Sequence, residues 1–203
     1  MIAIIDYGLG NLESVRYALD RLGAESLLTS DPARIAGADG VILPGVGAFG
    51  RAMAMLARLG LLDPTREAAR SGRPFLGVCL GLQLLFSESR EHGRHEGLGI
   101  LPGQVVRFAA PLTVPHMGWN EVRQERLSPL FEGIADESFF YFAHSYYVQP
   151  AEEELAIGTT DYGRRYASAV QRGSVFGTQF HPEKSGPTGL RMLRNFCELC
   201  GKS

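Results

Sequence analysis

The residues best suited to covalent chemistry lie in the stretch GVCLGLQ, where Cys79 stands two residues from both Gly77 and Gly81. An apolar run precedes the cysteine and a helical pattern follows it, which predicts a sharp turn from strand to helix. The same Gly-x-nucleophile-x-Gly frame presents the serine of a nucleophile elbow, because small neighbours let the backbone fold closely on itself. Free N–H groups of a helix beginning at Leu80 would favour a thiolate, and the Leu80 N–H itself could meet an oxyanion. We therefore predict that Cys79 is a nucleophile, with a buried cysteine in a glycine-rich turn as the alternative.

A cysteine nucleophile needs a base, and the stretch TQFHPEKSG near the other end of the chain offers one. His181 and Glu183 are two residues apart, so in extended backbone their side chains project to the same side. Pro182 restricts the backbone between them. Glu183 is predicted to hold one imidazole nitrogen while the other nitrogen faces the sulfur. His-Pro-Glu alone is more typical of a surface turn, but the two patterns together predict a triad of Cys79, His181 and Glu183.

The elements that must position these residues alternate between strand and helix in the first half of the chain. Apolar strand patterns alternating with amphipathic helix patterns indicate a parallel sheet covered on both faces. The predicted strands are residues 2–6, 26–29, 40–45 and 74–78, and the predicted helices are 11–22, 49–60, 63–70 and 80–87. Cys79 and His181 then both follow strands, at the sheet edge where ligands of open parallel sheets bind.

The second half brings strand patterns closer together, which predicts a mixed or antiparallel extension of the same sheet. These strands are residues 103–108, 112–119, 138–148, 154–160, 166–171 and 175–181, and a last helix is predicted over 188–200. The polar stretch at 87–97 is predicted to be an exposed loop. Because no linker or repeat interrupts the chain, we predict one domain over residues 1–203. Its fold class is α/β, a three-layer α/β/α architecture with a flavodoxin-like open sheet and a parallel core.

Six segments together resemble the class-I, triad glutamine amidotransferases. They are IAIIDYGLGNLESV, ILPGVGAFG, GVCLGLQLLF, PHMGWN, FAHSYY and QFHPEKSG. The resemblance covers essentially the whole chain, and the set is most similar to the branch of glutaminase subunits in imidazole glycerol phosphate synthases of histidine biosynthesis. It implies the amidotransferase fold and a hydrolase acting on L-glutamine that needs no cofactor and no metal.

The chemistry that the resemblance implies is hydrolysis of a carboxamide. Cys79 attacks the side-chain amide of glutamine, and His181 protonates the leaving ammonia. His181 then activates the water that cleaves the glutamyl thioester, while Glu183 orients the imidazole.

The resemblance also implies residues around the substrate. Gln83 lies one helical turn after the nucleophile, on the same face of the helix, and Ser145 and Tyr146 are placed at the amino-acid end of glutamine. A flexible loop is predicted to face the thiolate and to supply a second oxyanion donor through a peptide flip, which glycines allow. The loop residues are Gly45, Val46 and Gly47.

A partner subunit is also implied, because a chain of this size has no room for a second active site that consumes ammonia. The family's partner is a cyclase subunit with a (β/α)8 barrel, which forms a heterodimer and receives ammonia through an internal passage. The joined enzyme makes imidazole glycerol phosphate and an aminoimidazole carboxamide ribonucleotide. Trp119, among Pro, Met and Gly, is typical of an interface anchor. The predicted interface residues are His116, Met117, Trp119, Asn120 and Lys184.

Three other interpretations stay open. GVGAFG is a complete G-x-G-x-x-G between a strand and a helix, which is typical of dinucleotide-binding modules, but the acidic partner about 20 residues on is not at a strand end. Cys197 and Cys200 could form a zinc site with His92 and His95, although no second Cys-x-x-Cys supports it. The third interpretation is a catalytically inactive interaction subunit on the same fold, against which the intact triad argues.

Charge and composition exclude several classes of function. The net charge of −2 gives no field that would attract nucleic acid or a membrane surface. No apolar run approaches the roughly 20 residues that a membrane helix needs, and the opening MIAIIDYG has no signal-peptide pattern. Three cysteines are too few for a disulfide framework and are typical of a reducing compartment. We expect a cytoplasmic protein with no nucleic-acid or membrane partner.

Overall fold

Five parallel strands form one side of the sheet in the computed structural model, which describes residues 1–201. In spatial order they are β2 (Ser26–Thr29), β1 (Ile2–Ile5), β3 (Gly40–Gly45), β4 (Phe75–Cys79) and β13 (Val175–Thr178). All but β2 are buried along their whole length, as expected for strands covered on both faces. The carboxyl ends of β3, β4 and β13 therefore meet at one edge of the sheet.

Helices cover both faces of this sheet. They are α1 (Leu12–Arg21), α2 (Pro32–Ala36), α3 (Phe49–Arg58), α4 (Leu62–Arg70), α5 (Leu80–Leu84) and α6 (Gly186–Cys200). The buried residues of α1 and α6 share one apolar cluster, and those of α2, α3, α4 and α5 share the other. Alternate residues of β1 divide between the two clusters, Ile2 and Ile4 facing one, Ala3 and Ile5 the other. Three α/β/α layers result, and the predicted fold class is confirmed.

The remaining strands extend the sheet beyond β13. The main path continues through β12 (Arg165–Arg172), β10 (Tyr146–Pro150), β7 (Leu101–Arg107), β5 (Phe86–Ser89) and β6 (His95–Glu96). An antiparallel arm branches from β12 and contains β11 (Ala156–Asp161), β8 (His116–Gln124) and β9 (Ser138–His144). Short 3-10 helices cover Pro129–Phe131, Glu153–Leu155 and Pro182–Lys184. This extension is the predicted mixed part of the sheet. No helix within residues 1–201 is both long and apolar enough to cross a bilayer.

Two sequence predictions around the helix after Cys79 were wrong. The helix ends at Leu84 instead of residue 87, because Phe86–Ser89 forms β5, which pairs in parallel with β7. A short apolar run fits a helix or a strand equally well, and here the pairing with β7 decides. Residues 87–97 are consequently not one exposed loop: Ser89 is fully buried, and His95–Glu96 forms β6.

Two further differences are a predicted strand that is divided and a helix that was not predicted. The stretch predicted as one strand over 138–148 is two strands, β9 and β10, separated at Ser145 and paired with different neighbours. Helix α2 was not predicted, although its signals are present: Asp31 caps the helix by accepting from the Ala33 N–H at 2.9 Å, and Pro32 occupies the first turn. One domain over 1–203 stays a prediction, and residues 202 and 203 lie outside the described residues.

Candidate active site

Cys79 lies on a strained turn where β4 passes directly into α5. Its backbone angles are φ +55° and ψ −107°, in the region that glycine favours. A Cβ at Gly81 would lie only 1.7 Å from the Leu43 carbonyl oxygen, and a Cβ at Gly77 would lie 2.8 Å from Gly81 backbone atoms. The two glycines are therefore required because β3, β4 and the first turn of α5 approach one another without room for side chains.

The neighbouring strand brings the predicted base to the cysteine. β13 pairs in parallel with β4 and ends at Thr178 beside Val78, so the chain that follows β13 arrives next to Cys79. His181 hydrogen-bonds through Nδ1 with Glu183 Oε1 at 2.8 Å, and Cys79 is near enough to raise the pKa of the His181 imidazole. All three side chains are buried. The structure thus brings the three predicted triad residues together in the predicted order of contacts.

The electrostatics of the site favour a protonated imidazole. Burial by itself would lower the pKa of His181, but hydrogen bonds with Cys79 and Glu183 and the charge of both groups raise it to about 10. An imidazolium next to a cysteine can pair with the thiolate, which is the reactive form of the side chain. The predicted nucleophile, proton donor and orienting carboxylate therefore interact in sequence, with His181 between the other two.

A pocket of about 430 Å³ opens at this edge of the sheet. Eight residues predicted for the site line it: Val46, Gly47, Cys79, Leu80, Gln83, Met117, Ser145 and Tyr146. Gln83 Nε2 donates to the Tyr146 carbonyl oxygen at 2.9 Å, which ties α5 to the bend between β9 and β10. Cys79 thus faces a cavity large enough for a small polar molecule.

Sequence comparison identifies the family of the chain. The class-I glutamine amidotransferase family matches residues 3–200. The chain belongs to this family. The HisH subunit of imidazole glycerol phosphate synthase from Moorella thermoacetica is 59% identical over 198 residues, 98% of this chain and 94% of that protein. The HisH subunit from Syntrophotalea carbinolica is 50% identical over 206 residues, 98% of this chain and all of that protein.

Solved structures agree on the fold. PurLQS from Thermotoga maritima superposes with a TM-score of 0.79 at 18% identity, covering 97% of each chain. A crystal structure described as a glutamine amidotransferase superposes with a TM-score of 0.77 at 22% identity, covering 99% of this chain and all of the other. The predictions of family, fold and enzymatic nature are confirmed.

One residue of this amidotransferase in contact with the nucleophile was missed from the sequence. Gln179 is fully buried, donates from Nε2 to Cys79 Sγ at 3.7 Å, and accepts from Gln83 Nε2 at 3.1 Å. The signal was available: Gln179 lies two residues before His181, so the alternation that pairs His181 with Glu183 also places Gln179 on their side. A long polar side chain within the apolar run VFGTQF needed a polar partner.

Two charged residues of the pocket were also missed. Glu91 lines the pocket and accepts from the Phe49 N–H at 2.6 Å, at the beginning of α3. Arg107, the last residue of β7, lines the same pocket. Glu91 was overlooked because its surroundings were predicted to be an exposed loop, whereas the β5–β6 hairpin folds it toward the amidotransferase pocket.

The predicted oxyanion loop lies where expected. Gly45 ends β3 opposite Cys79, and a Cβ on it would lie 2.5 Å from the Tyr7 hydroxyl and 2.9 Å from the Leu80 Cβ. Val46 is exposed, and Gly47 has φ +93° with open space around it. Whether a peptide flip in this loop completes an oxyanion hole stays a prediction.

The predicted interface residues divide between two faces of β8. Met117 and Trp119 are 64% and 55% exposed, whereas His116 is buried and Asn120 is half-buried on the opposite face. Lys184 is exposed in the 3-10 helix after His181. A direct partner contact by His116 does not fit its burial in this structure, because strand alternation turns the ring toward the core.

The structure bears on two of the alternative interpretations, the zinc site and the dinucleotide-binding loop. Within residues 1–201, no group of three or more His, Cys, Asp or Glu side chains has the geometry to hold a metal ion. Two glycines of GVGAFG, Gly45 and Gly50, serve packing: at Gly50 a Cβ would lie 2.7 Å from the His95 ring. Burial raises the pKa of the Cys197 thiol to about 11 and that of Cys200 to about 12, which suits unreactive thiols in or near the core.

Gly81→Ala tests the turn. The added methyl group would collide with the Leu43 carbonyl, so we expect a loss of about 3 kcal/mol in the free energy of unfolding, measured by urea denaturation. Gly37→Ala is the control, because its Cβ would sit at an ordinary 3.4 Å from the nearest atom, and it should change stability by less than about 0.5 kcal/mol. Equal changes in the free energy of unfolding for Gly81→Ala and Gly37→Ala would contradict the close approach of Gly81 to the Leu43 carbonyl.

The raised pKa of His181 can be measured by NMR titration of the imidazole. Cys79→Ala removes the largest raising contribution, so the pKa should fall toward its ordinary value, whereas Cys197→Ala should leave it unchanged. Because the folded-state pKa lies above the unfolded value, the charge on His181 stabilises the fold fully below about pH 6.5 and loses this effect as the pH rises through about 10. A His181 pKa that stays at its wild-type value in Cys79→Ala would contradict the pairing of His181 with Cys79.

Gln179→Met removes the amide beside the sulfur while nearly conserving volume. We expect kcat/KM for glutamine to fall by about tenfold or more, because a hydrogen bond to a charged group contributes about 1.5–3 kcal/mol. The control Gln104→Met breaks a comparable side-chain hydrogen bond, to Gln149, away from the pocket. An unchanged kcat/KM in Gln179→Met would show that Gln179 does not contribute to the reaction.

Proposed function

We propose that this chain is the glutaminase subunit of an imidazole glycerol phosphate synthase in histidine biosynthesis. The observation that carries the proposal is the contact series from Cys79 through His181 to Glu183, opening into a pocket. Relatives of 50–59% identity over nearly the whole chain bear the name of that subunit, which supports the choice within the family.

The first half of the reaction transfers the glutamyl group to the enzyme. The Cys79 thiolate adds to the carboxamide carbon of L-glutamine and forms a tetrahedral oxyanion. His181, protonated at rest, gives its proton to the departing nitrogen, and ammonia leaves as the thioester forms. Glu183 holds the imidazole through Nδ1, so the other nitrogen carries the proton toward the reacting atoms.

The second half returns the enzyme to its starting state. His181, now neutral, takes a proton from water, and the resulting hydroxide attacks the thioester carbon. The carbon–sulfur bond breaks, glutamate leaves and the thiolate is restored beside a protonated imidazole. Burial of the triad restricts water near the intermediate, which favours transfer of ammonia before hydrolysis.

Backbone donors are assigned to the developing oxyanion. The Leu80 N–H lies at the beginning of α5, directly after the nucleophile. The loop of Gly45, Val46 and Gly47 supplies the second donor after a peptide flip, for which the open surroundings of Gly47 leave room. Activity would then depend on an event that turns this loop.

The pocket offers groups of both charges for the amino-acid end of glutamine. Gln83, Ser145 and Tyr146 line it near the nucleophile, as the family resemblance implies. The Glu91 carboxylate is complementary to an ammonium group, and the Arg107 guanidinium is complementary to a carboxylate. A zwitterionic amino acid with an uncharged amide end matches this lining.

The partner in this proposal is the cyclase subunit with a (β/α)8 barrel, joined to the chain as a heterodimer. Met117 and Trp119 expose large apolar side chains next to the pocket, and Met117 itself lines it. Lys184, exposed just after the triad, is placed in the same interface. Ammonia then passes to a cyclase that makes imidazole glycerol phosphate and an aminoimidazole carboxamide ribonucleotide. The three free cysteines favour a cytoplasmic location.

Release of glutamate from glutamine tests the proposal. The purified chain is assayed alone, with the cyclase subunit, and with the cyclase and its nucleotide substrate. We expect the rate to rise strongly in the full mixture and to vanish in Cys79→Ala, while Cys197→Ala keeps it. No glutamate under any condition, with both proteins folded, would overturn the proposed function.

A further inference from the structure

A chain of four hydrogen bonds crosses the inner side of β8 and ends at the pocket. It joins Asn120, His116, Tyr166, His144 and the Tyr146 carbonyl. Asn120 Nδ2 lies 3.3 Å from His116 Nε2, and His116 Nδ1 lies 3.2 Å from the Tyr166 hydroxyl. The same hydroxyl lies 3.2 Å from His144 Nε2, and His144 Nδ1 lies 2.8 Å from the Tyr146 carbonyl oxygen. We call this series the β8 relay.

The proton positions in the β8 relay follow from its last member. A carbonyl oxygen only accepts, so His144 carries its proton on Nδ1. In a neutral ring Nε2 is then an acceptor, and the Tyr166 O–H donates to it. The Tyr166 oxygen is left to accept from His116 Nδ1–H, and His116 Nε2 accepts from the Asn120 amide. Every hydrogen bond therefore points toward the pocket.

Both imidazoles are neutral, as this order requires. Burial lowers the pKa of His116 to about 4. Burial also lowers the pKa of His144 to about 3, against the opposing effect of its hydrogen bond to the Tyr146 carbonyl. A chain of neutral groups that all point one way is polarised cooperatively, so a change at one end alters the bonds at the other.

Packing fixes the rings of the β8 relay. His116 is stacked between Phe142, at 4.8 Å between ring centroids, and Tyr162, at 4.0 Å. Tyr166 is 4% exposed and His144 is 6% exposed. The relay can respond to movement of its backbone strands, but its side chains have little freedom to rearrange independently.

The two ends of the β8 relay have different surroundings. At one end, β8 carries Met117 and Trp119 on its exposed face, directly behind the inward-facing His116 and Asn120. At the other end, the Tyr146 carbonyl also accepts from Gln83.

From the pocket end of the relay, further hydrogen bonds lead through Gln83 and Gln179 to Cys79. Gln83 Nε2 donates to Gln179, and Gln179 Nε2 donates to Cys79 Sγ. Seven hydrogen bonds thus connect Asn120, on the strand with the exposed apolar face, to the Cys79 sulfur.

We propose that the β8 relay couples occupation of the exposed face of β8 to the glutamine pocket, with Tyr166 as the positioning residue at its centre. This inference rests on the proposed function, because the occupant of the face is the cyclase subunit. A displacement of β8 by the partner moves His116 and Asn120, and the relay passes the change to the Tyr146 carbonyl and hence to Gln83.

Tyr166→Phe tests the relay, because it removes the one hydroxyl that both histidines share. The quantity measured is the stimulation ratio: kcat/KM for glutamine with the cyclase and its nucleotide, divided by kcat/KM of the chain alone. We expect this ratio to fall about tenfold. The matched control is Tyr162→Phe, which removes a hydroxyl of the same aromatic cluster that donates to the Thr113 carbonyl outside the relay. Its ratio should stay within about twofold of the wild-type value.

A stimulation ratio that is unchanged in Tyr166→Phe would overturn the relay, since a merely structural defect lowers both rates together. An equal fall in Tyr162→Phe would overturn it as well. Thermal unfolding of both variants verifies that they are folded under the assay conditions.

A second measurement does not depend on any variant or on activity. Imidazole nitrogen NMR of the wild-type chain should find His144 and His116 both neutral, with protons on Nδ1. Adding the cyclase subunit should shift the nitrogen resonances of both rings. Protons on Nε2, or resonances that stay unmoved on addition of the cyclase, would overturn the relay. If no glutamate forms under any condition, the proposed function fails, and these resonances still decide for or against the relay.

Discussion

The close approach of Gly81 to the Leu43 carbonyl is the constraint on which the site depends. It lets α5 begin immediately after β4, so Cys79 takes a strained backbone conformation at the end of a fully buried strand. A longer turn would relieve the strain but would move the sulfur away from the sheet edge. Rigid packing beneath the turn therefore holds the Cys79 side chain in a position that a flexible loop would not maintain.

The sheet order then assembles the rest of the triad from distant parts of the sequence. β13 is last in the chain among the strands yet lies next to β4, so residues a hundred positions apart come into contact. The contacts are polar and buried, and such groups are costly unless each is paired. His181 pairs with Glu183 Oε1, and Gln179 adds a donor to the Cys79 sulfur, whereas Glu183 Oε2 is buried without a hydrogen-bond partner among the described residues.

How much of the structure could be predicted from the sequence depends on whether the deciding interaction is local or joins distant segments of the chain. The proximity of Cys79 and His181 could be predicted because two local patterns, a glycine frame and a two-residue alternation, occur in one chain and each follows a strand of the same sheet. The early end of α5 was not, because pairing of Phe86–Ser89 with β7 overrides the local helical pattern. His116 was assigned to the interface because the family resemblance implies that PHMGWN lies there, whereas its burial depends on which way β8 faces. Glu91 escaped notice because a hairpin, not its neighbours in sequence, turns it toward the pocket.

The packing of His95 against Gly50 has a consequence for how the pocket can move. The ring occupies the space that a side chain at Gly50 would fill, and Glu91 from the same hairpin holds the first N–H of α3. Helix and hairpin are thereby fastened together at two points, immediately after the loop that faces the sulfur. Any reorientation of that loop must be absorbed by the three residues 46–48, because the backbone on both sides of them is held by packing. Packing outside the loop in this way limits how far the loop can turn.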